Sequence, residues 1–153
     1  MDSRLGNYLI SDDAHRLDAG AIHAYLSRSY WAENIPLALV RRSIDESWCV
    51  GAYVVDVGTQ VGLVRIISDC ATYAYLCDVY VLEEHRGQGL ASAMLEFTQR
   101  LPRFQGVRSW NLKTQDAHGL YEKVGFKRVS NPGDYMTIRI PDAYRGDQSP
   151  AGL

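Results

Sequence analysis

"DVYVLEEHRGQGLASAML", residues 78–95, decides how this chain is read. It opens as a β-branched and aromatic run. It closes as an apolar pattern at helical spacing, in which Leu90, Ala91, Met94 and Leu95 are continued by Thr98 and Leu101. Between the two lie Arg86, Gly87 and Gly89. A strand ending near Leu82, a glycine turn and a helix starting near Gln88 make an anion site. The first N–H groups of a helix lack partners, and its dipole adds about half a positive charge there. Glycines let the backbone close on oxygen atoms because no Cβ intrudes, and Arg86 adds a forked, permanent charge. A plain strand-to-helix turn with a solvated arginine is spelled the same way, so the rest of the chain has to decide.

Upstream, "WCVGAYVVDVG", "QVGLVRIIS" and "TYAYLCDVYVL" read as three consecutive strands, 48–56, 60–68 and 72–82, in an antiparallel meander. "DVGT" (56–59) supplies the first hairpin turn. Earlier still, Tyr8 to Ile10 form a short strand. Asp18 caps a helix whose face carries Ile22, Tyr25, Leu26 and Ser29, and Pro36 opens a second helix with Leu37, Val40 and Ile44 on one side. "SYWAENIP" (29–36) is an aromatic-bearing loop between them. Downstream, Pro102 ends the long helix and "GVRSWNLKT" (106–114) is a strand. A short helix with Ala117, Leu120, Tyr121 and Val124 on one face stops at Gly125. "FKRVS" and "YMTIRI" are expected to close the fold as a pair of strands. The order predicts a mixed sheet with helices on its faces, an α/β or α+β sandwich.

The 153 residues suit one domain, 1–141, followed by a polar, turn-rich tail, 142–153, expected to be disordered. A formal charge of −2 argues against a nucleic-acid binder that works through bulk charge. Cys49, Cys70 and Cys77 cannot all pair within the chain, and their apolar settings point to reduced thiols and a reducing compartment. The start lacks a signal-peptide pattern, and no uncharged apolar run approaches the roughly 20 residues of a membrane span. A cytoplasmic protein without a membrane partner is the expectation. His15, His23, His85 and His118 show no metal-ligand spacing, so no metal is expected.

Two other phosphate loops fail on spelling. A P-loop needs Lys-Ser/Thr after its last glycine, where Leu90 and Ala91 stand. A dinucleotide fingerprint needs a third small residue, poorly met by Ser92, and an acidic residue about 20 positions on, where the chain reads "RSWNLKT".

Residues 78–95 do resemble the coenzyme A signature of the GNAT superfamily of N-acetyltransferases, Arg/Gln-x-x-Gly-x-Gly/Ala, met by Arg86, Gly89 and Ala91. "AHGLYEKVGF" (117–126) is similar to the family's later helix block, in family order with one strand between, and the element order agrees over roughly residues 6–140. The resemblance implies a GNAT-like mixed, mostly antiparallel sheet of six to seven strands with about four helices on both faces. It implies acetyl-CoA as cosubstrate, its pyrophosphate held by N–H groups of Gly87, Gln88, Gly89, Leu90, Ala91 and Ser92, and its pantetheine arm paired with Val79, Tyr80 and Val81. A bulge that splays this strand from its neighbour belongs to the family pattern.

By the same resemblance, an N–H near Val81 faces the thioester carbonyl and Tyr121 protonates the departing thiolate. A phenol of pKa about 10 and a thiol of about 8.5 are close enough to exchange a proton. Tyr121 also fits the helix's apolar face, so packing is its other reading. An attacking amine, near pKa 10.4, must first lose a proton. Some relatives place a glutamate where Cys77 stands here. Asp78 is the candidate base, its other reading an N-cap-like or hydrogen-bonding structural role, with Glu83 nearby and a water chain as an equal route. Thr114 replaces a frequent asparagine, and either touches the cofactor or caps the helix. His118 is tempting as a base, yet reads better as a surface or helix-start residue.

Tyr30 and Trp31 are the candidate acceptor-binding residues, since a loop setting suits them less to core duty. Tyr53, Tyr73 and Tyr75 are equally well core residues, and Glu33 or Asp69 would supply charge. The acceptor is a small-molecule or peptide amine. The oligomeric state stays open, a homodimer included. A non-catalytic acyl-CoA sensor is the rival reading, distinguished by Tyr121 and a base.

Overall fold

The computed structural model describes residues 1–141 together with Ala143 and Tyr144. Six strands lie in chain order in one sheet: β1 (Asp2–Leu5), β2 (Tyr8–Ser11), β3 (Trp48–Val54), β4 (Gln60–Ser68), β5 (Tyr73–Val81) and β6 (Ser109–Leu112). The first five pair antiparallel, and β6 joins β5 in parallel. Helices α1 (Ala19–Leu26) and α2 (Leu37–Asp45) separate β2 from β3. Helix α3 (Leu90–Arg100) carries the chain from β5 to β6, and α4 (His118–Lys123) follows β6. This is the expected mixed, mostly antiparallel architecture with helices on both faces.

Local chemistry sets the helix limits. Asp18 accepts the Ala21 N–H at 3.0 Å, so the first turn of α1 is capped. Pro36 precedes α2, where Val40 is buried. In α3, Leu90, Met94, Leu95, Phe97 and Thr98 are buried and Pro102 follows the last turn. One core lies between the sheet and α3 with α4, and includes Val50, Val64, Ile66, Leu76, Met94 and Tyr121. The other lies against α1 and α2, with Ile22, Leu26, Val40, Leu63 and Tyr80. Gly62 lets α3 approach closely: a Cβ there would stand 2.9 Å from Met94 Cε and 3.1 Å from the Tyr80 carbonyl oxygen.

One irregularity positions the site. Arg65 lies opposite Asp78 but Ile66 lies opposite Leu76, so Cys77 is an extra residue in β5. Such a bulge bends and twists its strand. Leu76 therefore belongs to the α3 core and Tyr80 to the α1 core, although four residues apart on a regular strand would share a face. Pairing with β6 stops at Leu76 and Leu112, so β5 beyond the bulge has a free edge.

The structure corrects two expectations. Strand β1 was not foreseen, because "DSRL" is an edge strand with little apolar content. The proposed closing strands, "FKRVS" and "YMTIRI", form no ladder. Met136 is 98% exposed and Ile138 fully so. Alternation favours a strand only where a neighbour covers one face, and nothing covers this segment. Of the tail from Asp142, only Ala143 and Tyr144 are among the described residues, and Tyr144 packs against the α1 core. No helix among the described residues is long and apolar enough to cross a membrane, and all three cysteines are free.

Candidate active site

The glycine turn has the open backbone that an anion site would need. Gly87 and Gly89 adopt left-handed φ values of 77° and 76°, and a Cβ at either would meet open space. Gly89 caps α3 with no side-chain acceptor, and the first turn holds no acidic residue. The opening N–H groups, through Ala91 and Ser92, are thus left without a side-chain cap among the described residues. Leu90 offers only its backbone, since its side chain is in the core.

The loop is braced from three sides. Arg86 folds back, donating from Nε to the Val81 carbonyl at 3.0 Å and from Nη2 to the Tyr25 hydroxyl at 3.1 Å. Tyr25 stacks on Tyr80 with ring centroids 3.9 Å apart. Arg28 forks onto Glu83 at 2.8 and 3.1 Å, and that hydrogen bonding holds the Glu83 carboxyl down to about 2. Gln88 donates its amide to the Tyr8 hydroxyl at 3.0 Å, which also meets His85 Nδ1 at 2.9 Å. Of the loop residues expected to grip a cofactor, Arg86 and Gln88 therefore spend their side chains on holding the loop in shape.

The free edge of β5 presents backbone groups. Leu82 N–H bonds to the Val61 carbonyl on the β4 side, and successive residues of a strand point their N–H and C=O to opposite edges. Val81 and Val79 consequently direct theirs away from β4, which agrees with Arg86 reaching the Val81 carbonyl.

Two cavities meet at this edge. One, of about 490 Å³, is lined by Val79, Tyr80, Val81, Arg86, Ala91 and Leu120. The other, of about 860 Å³, takes in Arg65, Tyr75, Cys77, Asp78, Thr114 and Tyr121. Tyr30, Trp31, Val79, Asp116 and Ala117 line both, so they form a common wall.

Tyr121 is buried in the lining of the larger cavity, edge-on to Phe126. Burial above all, then the neighbouring Tyr30 and Asp116, pushes its phenol up to about 12. No hydrogen bond engages its hydroxyl among the described residues, which leaves the O–H for a ligand. Thr114 accepts the Ala117 N–H at 3.1 Å, which shapes the turn ahead of α4 but leaves the helix itself without a side-chain cap, and its own hydrogen remains available. The Tyr30 hydroxyl accepts the Gln115 N–H at 3.4 Å and its ring stands edge-on to Trp31, tying the 29–36 loop to the approach to α4.

Asp78 is held more tightly than its sequence setting foretold. Oδ2 accepts Arg65 Nε at 2.5 Å and Oδ1 accepts Trp31 Nε1 at 2.9 Å, while Arg65 Nη1 donates to Ser47 at 2.9 Å. Arg65 and Ser47 were missed. A signal existed: a lone arginine and a lone aspartate in adjacent apolar strands need each other, because a buried charge must be paired. The remaining candidates disperse. Asp69 accepts N–H groups of its own turn, His118 begins α4, Tyr53 is core and Tyr73 is exposed. Of those three tyrosines, Tyr75 alone lines either cavity.

The chain is similar to known proteins in sequence and in fold. The family described as "Acetyltransferase (GNAT) domain" matches residues 48–128. A provisionally named acetyltransferase of Gibberella zeae is 34% identical over 137 residues, covering 77% of each chain. A crystal structure from Xanthomonas campestris pv. campestris, assigned there to the same family, is 44% identical with a TM-score of 0.87, over 94% of this chain and 100% of that one. Glucosamine-6-phosphate N-acetyltransferase of Arabidopsis thaliana, 16% identical with a TM-score of 0.63 over 88% and 99% of the two chains, shares the fold.

Proposed function

We propose, on the premise that this chain belongs to the GNAT family of acetyltransferases, that it moves the acetyl group of acetyl-CoA to a primary amine by direct attack in a ternary complex. The observation that carries the proposal is the pair of cavities with a common wall, one lined by Arg86 and Ala91 at the two ends of the glycine turn and the other by Tyr121. Such an arrangement lets two substrates meet without a covalent enzyme intermediate, with the cost of bringing them together met by binding.

In this reading the diphosphate sits on the uncapped N–H groups of α3, where helix dipole and open glycines favour it. Arg86 keeps the turn closed onto the end of β5. The pantetheine arm extends β5 along the edge that β6 leaves free, pairing with Val79 and Val81. A main-chain N–H near Val81 then faces the thioester oxygen as charge gathers there.

The neutral amine nitrogen attacks the carbonyl carbon, the C–S bond breaks, Tyr121 gives its proton to the sulfur, and the proton shed by the new amide nitrogen returns through water to the Tyr121 phenolate. A phenol near 12 is a weak acid toward a thiol of about 8.5 in water. The burial that raises the phenol raises a thiolate formed beside it as well, so the two stay within reach. The ammonium proton leaves to water in the open acceptor cavity before attack. Asp78, already accepting on both oxygens, keeps Arg65 and Trp31 in place beside the amine.

The test joins binding to turnover. Melting is followed with acetyl-CoA, ATP and NAD, and thiol release from acetyl-CoA is followed across a panel of primary amines. A ligand at 100 times its Kd adds about 2.7 kcal/mol of stability. Stabilisation by acetyl-CoA alone, with thiol release for at least one amine, is the expected result. Stabilisation without turnover would identify an acyl-CoA sensor, and no stabilisation would end the proposal.

A further inference from the structure

We infer that the amine accepted by this site carries an anionic group, carboxylate or phosphate, on an apolar or aromatic body; this rests on the acetyltransferase reading above. The larger cavity is lined by Arg42, Arg65, Lys113 and Arg139 against Glu46, Asp78 and Asp116, an excess of cations in a chain whose formal charge is −2. One acid stands apart from these cations, while Glu46 and Asp78 line the larger cavity alone as the cations do. Asp116 lies on the wall shared with the cosubstrate cavity, close enough to Tyr121 to raise its phenol. Arg42 on α2 and Arg65 on β4 line the larger cavity alone.

Arg65 is the built part of this site. Its side chain is largely buried and is fixed by Asp78 at Nε and by Ser47 at Nη1. A guanidinium has five N–H donors, so Nη2 and the second Nη1 hydrogen have no partner among the described residues. A fixed fork with spare donors is the geometry that selects a carboxylate or phosphate. Arg42, Lys113 and Arg139 make no ion pair among the described residues, although Glu46 is one helical turn from Arg42. Ile67, Leu39 and Tyr75 complete the lining with apolar surface. The ammonium end is thus drawn toward Asp116 and Tyr121, and the anionic end toward Arg65 and Arg42.

Matched acceptors test this. Thiol release from acetyl-CoA is measured with phenylalanine against phenethylamine, and with O-phosphoethanolamine against ethanolamine, each corrected for its fraction of free amine. The anionic member should have the higher kcat/KM by about tenfold or more in at least one pair, and the pair that shows it separates carboxylate from phosphate. Arg42→Gln should shrink that ratio several-fold through KM. Calorimetric titration of the same four compounds into the protein loaded with desulfo-CoA reads the preference without turnover. If no amine reacts, the acetyltransferase reading falls while the titration still decides the anion preference. Equal or better binding and turnover of the neutral members would overturn the inference.

Discussion

Removing the carboxylate of Asp78 tests how the acceptor cavity is held up. Its side chain is 6% exposed and that of its partner Arg65 is 15% exposed, so Asp78→Ala leaves a buried guanidinium without a counter-charge. Breaking a buried pair from one side costs about 3–5 kcal/mol. The Trp31 Nε1–H loses its acceptor as well, adding about 1 kcal/mol for a part-buried donor. The sum, about 4–6 kcal/mol, is a large share of the roughly 5–15 kcal/mol that holds a domain together. At about 2–4 °C per kcal/mol for a chain of this size, Tm should fall by roughly 10–20 °C. Urea unfolding followed by tryptophan fluorescence gives the free energy directly. The paired change Arg65→Met with Asp78→Leu should recover all but about 1–2 kcal/mol, since no charge is then stranded. A loss below about 1 kcal/mol for Asp78→Ala, or no recovery in the double variant, would refute the reasoning. Asp78→Asn that abolished turnover at nearly unchanged stability would instead make Asp78 the proton acceptor.

Tyr121→Phe should lower kcat by about 10²–10⁴-fold, the usual worth of a general acid, with KM for acetyl-CoA and Tm little changed; single-turnover thiol release reads it. Because burial raises that phenol to about 12, the proton is retained at all lower pH, and the kcat profile should rise as the amine deprotonates without a descending limb below about pH 11. A falling limb near pH 10 that Tyr121→Phe removes would contradict this. The same shift should erode stability as pH climbs from the ordinary value of 10 toward 12, because the unfolded chain releases that proton first. Gly89→Ala forces a side chain into left-handed backbone at a cost of about 1–2 kcal/mol and should weaken acetyl-CoA binding in calorimetry. Gly62→Ala meets Met94 and the Tyr80 carbonyl, and should cost about 1–3 kcal/mol by overpacking.

The sequence carried most of the fold because period and punctuation agree. The Asp18 cap, the proline ahead of α2 and the i, i+4 pattern of α3 each specify an element locally. What escaped depends on neighbours. "YMTIRI" alternates like a strand, yet alternation says nothing about whether a ladder partner exists. β1 is paired although its composition is that of a loop. At the site, the glycine turn and Tyr121 were legible as motifs. The bracing roles of Arg86 and Gln88 were not, since their partners, Tyr25 and Tyr8, lie 61 and 80 residues away. Asp78 was legible as a titratable group in a suggestive place. Its occupation by Trp31 and Arg65 follows from loop and strand meeting across the sheet, which one-dimensional spacing does not contain.

The unpaired residue at position 77 has an arithmetical consequence. Subtracting it would leave Asp78 facing Arg65 and return residues 78–81 to the inward and outward orientations they already hold, since Leu76 and its new neighbour would again alternate. Packing gains nothing from the spare residue; what it contributes is the kink. A chain shortened by that one cysteine would keep its two cores and straighten the strand that parts company with β6. At this position, then, the length of the chain is a parameter of ligand access, tunable by one residue with the hydrophobic interior hardly consulted.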